Sequence, residues 1–365
     1  LFLKNLKLVN FRNLKNSEIT FSKINIFYGG NAQGKTSILE AIYFLFTGKS
    51  FRTFIDEELI KWNEEYSYLK GEVLWQEQDI LIESALSIHG DKKIKINQKI
   101  VKKQKELTFL FPIVIFTQDE VFTIKDEPSA RRFLLDRFIS ILHYPYNKIL
   151  IDYQKALYQR NLLLKKFERL KDIKLWDNIL IEKGSLILNY RLSVIKEMEE
   201  NIKDISRNLL GEEELEIEYY SSIPIVDNDE KNIKNSFQKF LEESYEKDIE
   251  KKYTTIGPHR DDIIFYWRRN NTRYNLKKFG SGGERKMASL IWKLSEVKLL
   301  SEKRKEKAIL LIDDLFSELD YEKQNIVWNA IKDFQIFLTS AYKLDIFKNF
   351  NIFEVNCGEV KYLGR

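Results

Sequence analysis

The opening residues LFLKNLKLVNFRN alternate apolar and polar side chains, the period of a strand with one buried face. Similar alternating or β-branched runs, INIFY, SYLKGEVLW, DILIESALSI and KIKINQKIV, end at Gly, Asn or Asp and predict further strands. From roughly Ser129 to Ile256 the pattern changes. Glycine is confined there to Gly184 and Gly211, and Leu180, Ile181, Leu186, Ile187, Tyr190 and Ile195 recur at helical spacing. That stretch predicts long helices, interrupted by a short strand pair around Leu215–Ile225. Beyond it, DIIFYW and TRYNLKKF predict a hairpin turning at Asn270-Asn271. A helix over Glu284–Leu300, a buried strand over Ala308–Ile312, another helix and a strand over Gln335–Thr339 follow.

This order predicts an α/β protein whose head is assembled from both ends of the chain. Residues 1–122 and 252–365 form the two parts of the head, and 123–251 form an inserted, mainly helical domain. A length of 365 residues fits two or three domains, and the balance of 44% hydrophobic to 32% charged residues excludes disorder as the main character. The longest apolar run, Phe109 to Phe116, is broken by Pro112 and falls short of the roughly 20 residues a membrane helix needs. A soluble, cytoplasmic protein without an export signal is expected. The lone Cys357 excludes an intrachain disulfide framework, and His89, His143 and His259 lack metal-ligand spacing. Any metal must therefore be held by oxygen. A net charge of +5 is only mildly basic, so a nucleic-acid partner would have to meet local patches.

Gly29, Gly30, Asn31, Ala32, Gln33, Gly34, Lys35 and Thr36 fit G-x-x-x-x-G-K-[ST], with Ser37 opening the helix that follows. Backbone N–H groups in such a loop cradle phosphates, and the helix N-terminus adds partial positive charge. Lys35 is expected to reach the β- and γ-phosphates, and Thr36 to hold Mg²⁺. A nucleoside triphosphate is the implied ligand. Later, the run from Ala308 to Ile312 ends in Asp313 and Asp314. Asp313 suits the metal shell and Asp314 suits a base that orients the attacking water; a simple acidic cap of the next turn would look the same. Gly280-Ser281-Gly282-Gly283-Glu284-Arg285 precedes a helix, and taken alone it fits a flexible cap as well as a phosphate-facing one.

Together these three motifs, with Ser317-Glu318-Leu319-Asp320 after them, resemble the ATP-binding-cassette (ABC) ATPases. Within that superfamily the chain resembles the RecF family of bacterial recombination and repair proteins. The likeness is carried by LVNFRN, GGNAQGKTSILEAIYFL, PSARRFLLD, YQRNLL and GPHRDD, and it covers most of the chain in order. The resemblance implies an ABC-ATPase head, with a P-loop core sheet and an antiparallel β subdomain, plus the inserted helical domain. It implies ATP and Mg²⁺ as cofactors and Arg12 as a nucleotide-side basic residue. Ser281 and Gly283 would act on the ATP of a second copy, with Asp320 at the dimer seam. Gln118 would couple metal and water to the helical domain. It further implies an ATP-dependent homodimer on DNA, at single-strand/double-strand junctions or gaps, with weak DNA-stimulated ATP hydrolysis. Mediator proteins of the RecO/RecR type would be partners, in recombinase loading, replication restart and the SOS response. Two other classes fit a P-loop: the ATPase subunit of a membrane transporter, and a scaffold that binds ATP without turnover. The long separation of Gly34 from Ser281 disfavours the first, and the Asp313–Asp314 pair disfavours the second.

Two basic patches are candidates for DNA phosphates: Lys92, Lys93, Lys95, Lys99, Lys102, Lys103 and Lys105, and Arg268, Arg269, Arg273, Lys277 and Lys278. Each also fits a solvated strand edge. His259-Arg260-Asp261-Asp262 fits either a bracing charge network or catalysis, and Arg131 and Arg132 either face nucleotide or tie the insertion down.

Overall fold

The computed structural model describes residues 1–102, 107–117, 124–166, 170–225, 229–270, 272–314, 320–342 and 350–364. By internal contact the chain divides into two units, Leu1–Glu120 with Glu296–Arg365, and Val121–Ser295. The sequence division assigned 252–295 to the head, whereas contacts group those residues with the helices. The physical reason is strand pairing: Asp262–Arg269 runs antiparallel to Glu214–Tyr220 and is tied to it along its length.

The first unit holds two six-stranded sheets. Its central sheet has the order Glu359–Gly364, Asn351–Asn356, Ile24–Tyr28, Gln335–Ser340, Ile309–Asp313, Ile113–Phe116. All neighbours pair in parallel except the first two. Gln335–Ser340 and Ile113–Phe116 are buried throughout, and Ile309–Asp313 is buried up to its last residue. Near-continuous burial is what a parallel strand covered on both faces requires.

The second sheet is antiparallel, in the order Ser17–Thr20, Phe2–Val9, Tyr66–Trp75, Gln78–Ser87, Lys92–Ile96, Lys99–Ile100. One helix, Lys35–Thr47, contacts strands of both sheets and is buried on every side except at Thr36. Its apolar residues on all faces follow from that position, since two sheets must be satisfied at once. Gly71 permits the close approach: a Cβ there would lie 2.4 Å from Leu45 Cδ2.

The second unit contains the helices Pro128–Leu142, Tyr146–Lys166, Leu170–Leu210, Glu230–Glu243 and Tyr245–Lys251. A three-stranded sheet packs with them in the order Thr272–Asn275, Asp262–Arg269, Glu214–Tyr220. The strand pair expected around Leu215–Ile225 is corrected here. Only Glu214–Tyr220 is a strand, and its partner lies in the later segment. Pro224 and the hydrogen bonds of Ser222 to Asp261 take the following residues out of the sheet. The hairpin does form, with Arg269 opposite Thr272, and Asn271 lies outside the described residues.

Candidate functional site

The P-loop leaves strand Ile24–Tyr28 and enters the helix beginning at Lys35. A Cβ on Gly29 would lie 2.2 Å from the Val355 carbonyl oxygen, and Gly34 combines φ +112° with Leu14 Cδ2 2.8 Å from such a Cβ. Both positions therefore demand glycine. Neighbouring segments hold the intervening residues. Asn13 Nδ2 donates to the Ala32 carbonyl at 3.3 Å, and Ser37 Oγ donates to Asn13 Oδ1 at 3.0 Å. Gln33 accepts Cys357 N–H through Oε1 at 2.6 Å and Gly358 N–H through its carbonyl at 2.9 Å. Gly30 and Asn31 stay at the surface. Lys35 Nζ donates to the carbonyls of Gly29 at 2.8 Å and Gly30 at 2.9 Å, so its ammonium is folded against its own loop.

Beneath the helix start, Thr36 Oγ1 lies 3.0 Å from both carboxylate oxygens of Asp313. Burial pushes the Asp313 carboxyl above its usual range, and Asp314 adds to this; hydrogen bonds from Thr339 and Thr36 act the other way. A hydroxyl and a carboxylate form the hard oxygen set that Mg²⁺ takes. At metal–oxygen distances of about 2.1 Å, adjacent vertices of an octahedron are about 3.0 Å apart. The pair fits that ion. Asp314 has φ +54°, a left-handed conformation that Asp tolerates better than most residues. Its N–H donates to Thr339 Oγ1 at 3.0 Å, and its Oδ1 accepts Ala341 N–H at 3.2 Å. The two carboxylates thus accept from different donors, Asp313 from Thr36 and Thr339 and Asp314 from the Ala341 N–H.

Arg12, Asn13, Lys35, Thr36, Trp62 and Asp313 help to line one cleft of about 910 Å³, along with Asp314 and Thr117. Arg12 reaches it with its fork already engaged: Nε and Nη2 donate to Glu40 at 2.9 and 2.8 Å, and Nη1 to the Glu58 carbonyl at 2.8 Å. Glu40 is fully buried and also accepts Ser50 Oγ at 2.6 Å and Arg52 Nη1 at 3.2 Å. Sequence reasoning missed Glu40, Asn13 and Thr339. A glutamate in the middle of an apolar helix was the available signal for the first. Gln118 lies outside the described residues, as do Ser317, Glu318, Leu319, Lys103 and Lys105.

In the second unit, Ser281 and Glu284 form a capping box at the start of helix Gly282–Lys303. Ser281 N–H donates to Glu284 Oε2 at 2.7 Å, and Glu284 N–H donates to Ser281 Oγ at 3.2 Å. Gly282 and Gly283 face open space, with no described residue within 4 Å of where a Cβ would stand. Asp320, in the first unit, caps helix Tyr321–Ile331 by accepting Lys323 N–H at 2.9 Å and is exposed.

The GPHRDD segment is a bracing network inside the second unit. Tyr153 OH donates to His259 Nδ1 at 2.7 Å while His259 Nε2 donates to the Thr254 carbonyl at 3.1 Å, the tautomer these partners require. Asp261 accepts Ser222 N–H at 2.8 Å and Tyr219 OH at 2.6 Å. Arg131 grips Asp262 at 2.8 and 2.9 Å, and Arg132 donates to the Asp261 carbonyl at 2.6 Å. Both arginines are occupied in tying helix Pro128–Leu142 to this segment.

The two basic patches differ. Arg268 and Arg273 pair with Glu216, Arg273 also with Glu218, and Arg269 with Glu213. The side chains of Lys93, Lys99 and Lys102 are exposed and have no hydrogen-bond or ion-pair partner among the described residues, and in the second patch the same holds for Lys278. No helix among the described residues is long and apolar enough to cross a membrane.

Residues 2–355 match the model of the RecF/RecN/SMC N-terminal domain. The chain is 37% identical to the DNA replication and repair protein RecF of Clostridium tetani, over 98% of this chain and 99% of that one. It is 38% identical to RecF of Clostridioides difficile, over 98% and 97%. A solved structure of the recombination mediator protein RecF with ATP, in the RecFOR pathway, superposes with a TM-score of 0.91 at 34% identity, covering 100% of this chain and 98% of that one. The Smc head domain from Pyrococcus furiosus, at a TM-score of 0.58 and 17% identity over 99% of this chain and 96% of that one, shares the fold.

Proposed function

This chain belongs to the RecF family of DNA replication and repair proteins, and from that premise we propose an ATP-operated DNA clamp that acts at single-strand/double-strand junctions or gaps. The observation that carries the reading is the convergence of Lys35, Thr36 and Asp313 at one end of the central sheet, with Thr36 and Asp313 3.0 Å apart. Thr36 and Asp313 would hold Mg²⁺, which supplies charge neutralisation on the β- and γ-phosphates. Lys35 exchanges the Gly29 and Gly30 carbonyls for phosphate oxygens. Asp314 orients the attacking water and takes its proton. Arg12 lies on the nucleotide side of the cleft, and Gln118 would couple the metal and water to the helical domain.

Ser281 and Gly283 of a second copy complete the phosphate cage. Because ATP then contacts two subunits only in the closed state, it shifts the population towards a homodimer. Hydrolysis, slow and DNA-stimulated, reopens it. Lys93, Lys99 and Lys102 are exposed lysines free to neutralise DNA phosphates. The work fits recombinational repair in the cytoplasm, with mediators of the RecO/RecR type, in recombinase loading, replication restart and SOS induction.

The test is ATP turnover per subunit against protein concentration, with and without gapped duplex, at fixed low salt. Turnover rising with concentration and responding to the duplex is the expected result. A flat rate indifferent to DNA would remove the clamp mechanism.

A further inference from the structure

Residues 54–66 present a surface unlike either basic patch. Phe54 is 98% exposed and Trp62 91%, and Ile55, Tyr66 and Ile88 are exposed beside them in sequence or in strand register. Isolated apolar residues at a surface are ordinary, but a bare indole facing one groove with Ile88 marks a contact surface. The backbone that carries them is pinned. Arg12 N–H donates to the Leu59 carbonyl at 2.8 Å, Lys61 N–H to the Asn10 carbonyl at 2.9 Å, and Ile88 N–H to the Glu65 carbonyl at 3.0 Å. Lys92 Nζ fixes the turn through Asp56 at 2.6 Å.

Trp62 and Ile88 line one groove of about 470 Å³, with Glu57, Glu58, Glu64 and Lys61 around them. Glu57, Glu58, Glu64 and the adjoining Glu65 are all exposed. The neighbouring cations are committed elsewhere, Arg12 and Arg52 to Glu40 and Lys92 to Asp56, which leaves Lys61. On a chain of net charge +5 this groove is locally acidic. A polyanion is repelled from it, and a second copy meeting it across a two-fold axis would set carboxylate against carboxylate.

We propose that this groove docks a basic segment of a protein partner. A leucine or aromatic side chain of the segment sits between Trp62 and Ile88, and its lysines or arginines meet Glu57, Glu58 and Glu64. Arg12, Glu58, Ile60, Lys61 and Trp62 line both this groove and the P-loop cleft, so a docked segment shares a wall with the nucleotide site. This goes beyond the clamp reading and does not depend on it.

Random displayed peptides of about twelve residues, selected on the intact nucleotide-free chain, provide the test. An enriched peptide is then synthesised and titrated by fluorescence anisotropy. The expected winners carry at least two Lys or Arg next to Leu or an aromatic residue. Their affinity should fall at least about tenfold on Trp62→Ser, and again on the pair Glu57→Lys and Glu58→Lys, with melting temperatures unchanged. Failure to enrich basic peptides overturns the proposal, as does equal binding to the variants. Loss of gapped-duplex binding in Trp62→Ser would assign the groove to nucleic acid instead. A change in self-association would assign it to a second copy.

Discussion

Thr339 Oγ1 donates to Asp313 Oδ1 at 2.6 Å and accepts the Asp314 N–H at 3.0 Å, so one hydroxyl holds both acids of the strand end. The parallel register sets Thr339 directly opposite Asp313. Thr339→Val keeps the β-branched shape and removes both bonds. The substitution is expected to cost about 1–2 kcal/mol of stability, measured by urea unfolding. It should also raise the pH below which turnover fails, since burial already pushes Asp313 up and the Thr339 hydrogen bond opposes that. An unshifted acid limb in the pH–rate profile would show that Asp313 is held by other means.

Asp314→Asn separates charge from conformation. Asn tolerates the left-handed backbone at φ +54° as well as Asp does, so the fold should persist. Turnover is expected to fall at least about 100-fold, the usual weight of a general base, while ATP binding survives. Light scattering should then find dimer accumulating with ATP. A variant that stays monomeric with ATP bound would count against closure by nucleotide.

The free lysines give a salt-dependent prediction. Lys93→Glu with Lys99→Glu should flatten the dependence of log affinity on log salt for gapped duplex, by about one for each DNA phosphate left without its lysine. Arg268→Gln should leave that slope alone, because Arg268 is engaged with Glu216. Anisotropy titrations over a salt series decide between them.

His259 makes stability pH-dependent. Burial first, then the nearby Arg260, Arg132 and Arg191, push its pKa from 6.5 down to about 3, against the pull of the Thr254 carbonyl. The folded state therefore favours the neutral ring. Its contribution is complete above about pH 6.5 and is lost as the pH falls towards 3. At 1.36 kcal/mol per unit its ceiling is roughly 5 kcal/mol. In His259→Phe the urea midpoint should change less steeply between pH 6.5 and 4 than in the parent. An equal slope would mean that other groups carry the acid sensitivity.

Strand Ile24–Tyr28 and the helix after Gly34 stand where glycine spacing and apolar alternation put them, because a phosphate loop's geometry is local in sequence. The strand pair near Leu215 failed for the opposite reason. Its partner, Asp262–Arg269, lies far along the chain, and alternation reports a buried face without naming who pairs with it. The same gap hid the neutralisation of Arg268, Arg269 and Arg273. Glu214, Glu216 and Glu218 alternate along the facing strand, but only its register brings Glu216 and Glu218 against Arg268 and Arg273, while Arg269 meets Glu213 just before that strand. Glu40 was hidden because Arg12 converges on it from one segment and Ser50 and Arg52 from another.

The order of the central sheet also sets a timetable for synthesis. Strand Ile24–Tyr28 pairs with Gln335–Ser340 on one side and Asn351–Asn356 on the other, and with nothing made earlier in that sheet. A ribosome adding roughly 5–20 residues per second takes on the order of 15–60 s to pass from Tyr28 to Gln335. Throughout that wait the P-loop strand has both edges bare and its nucleotide site has no floor. A nascent chain released early therefore exposes an aggregation-prone edge, and chaperone dependence should peak before the last strands emerge.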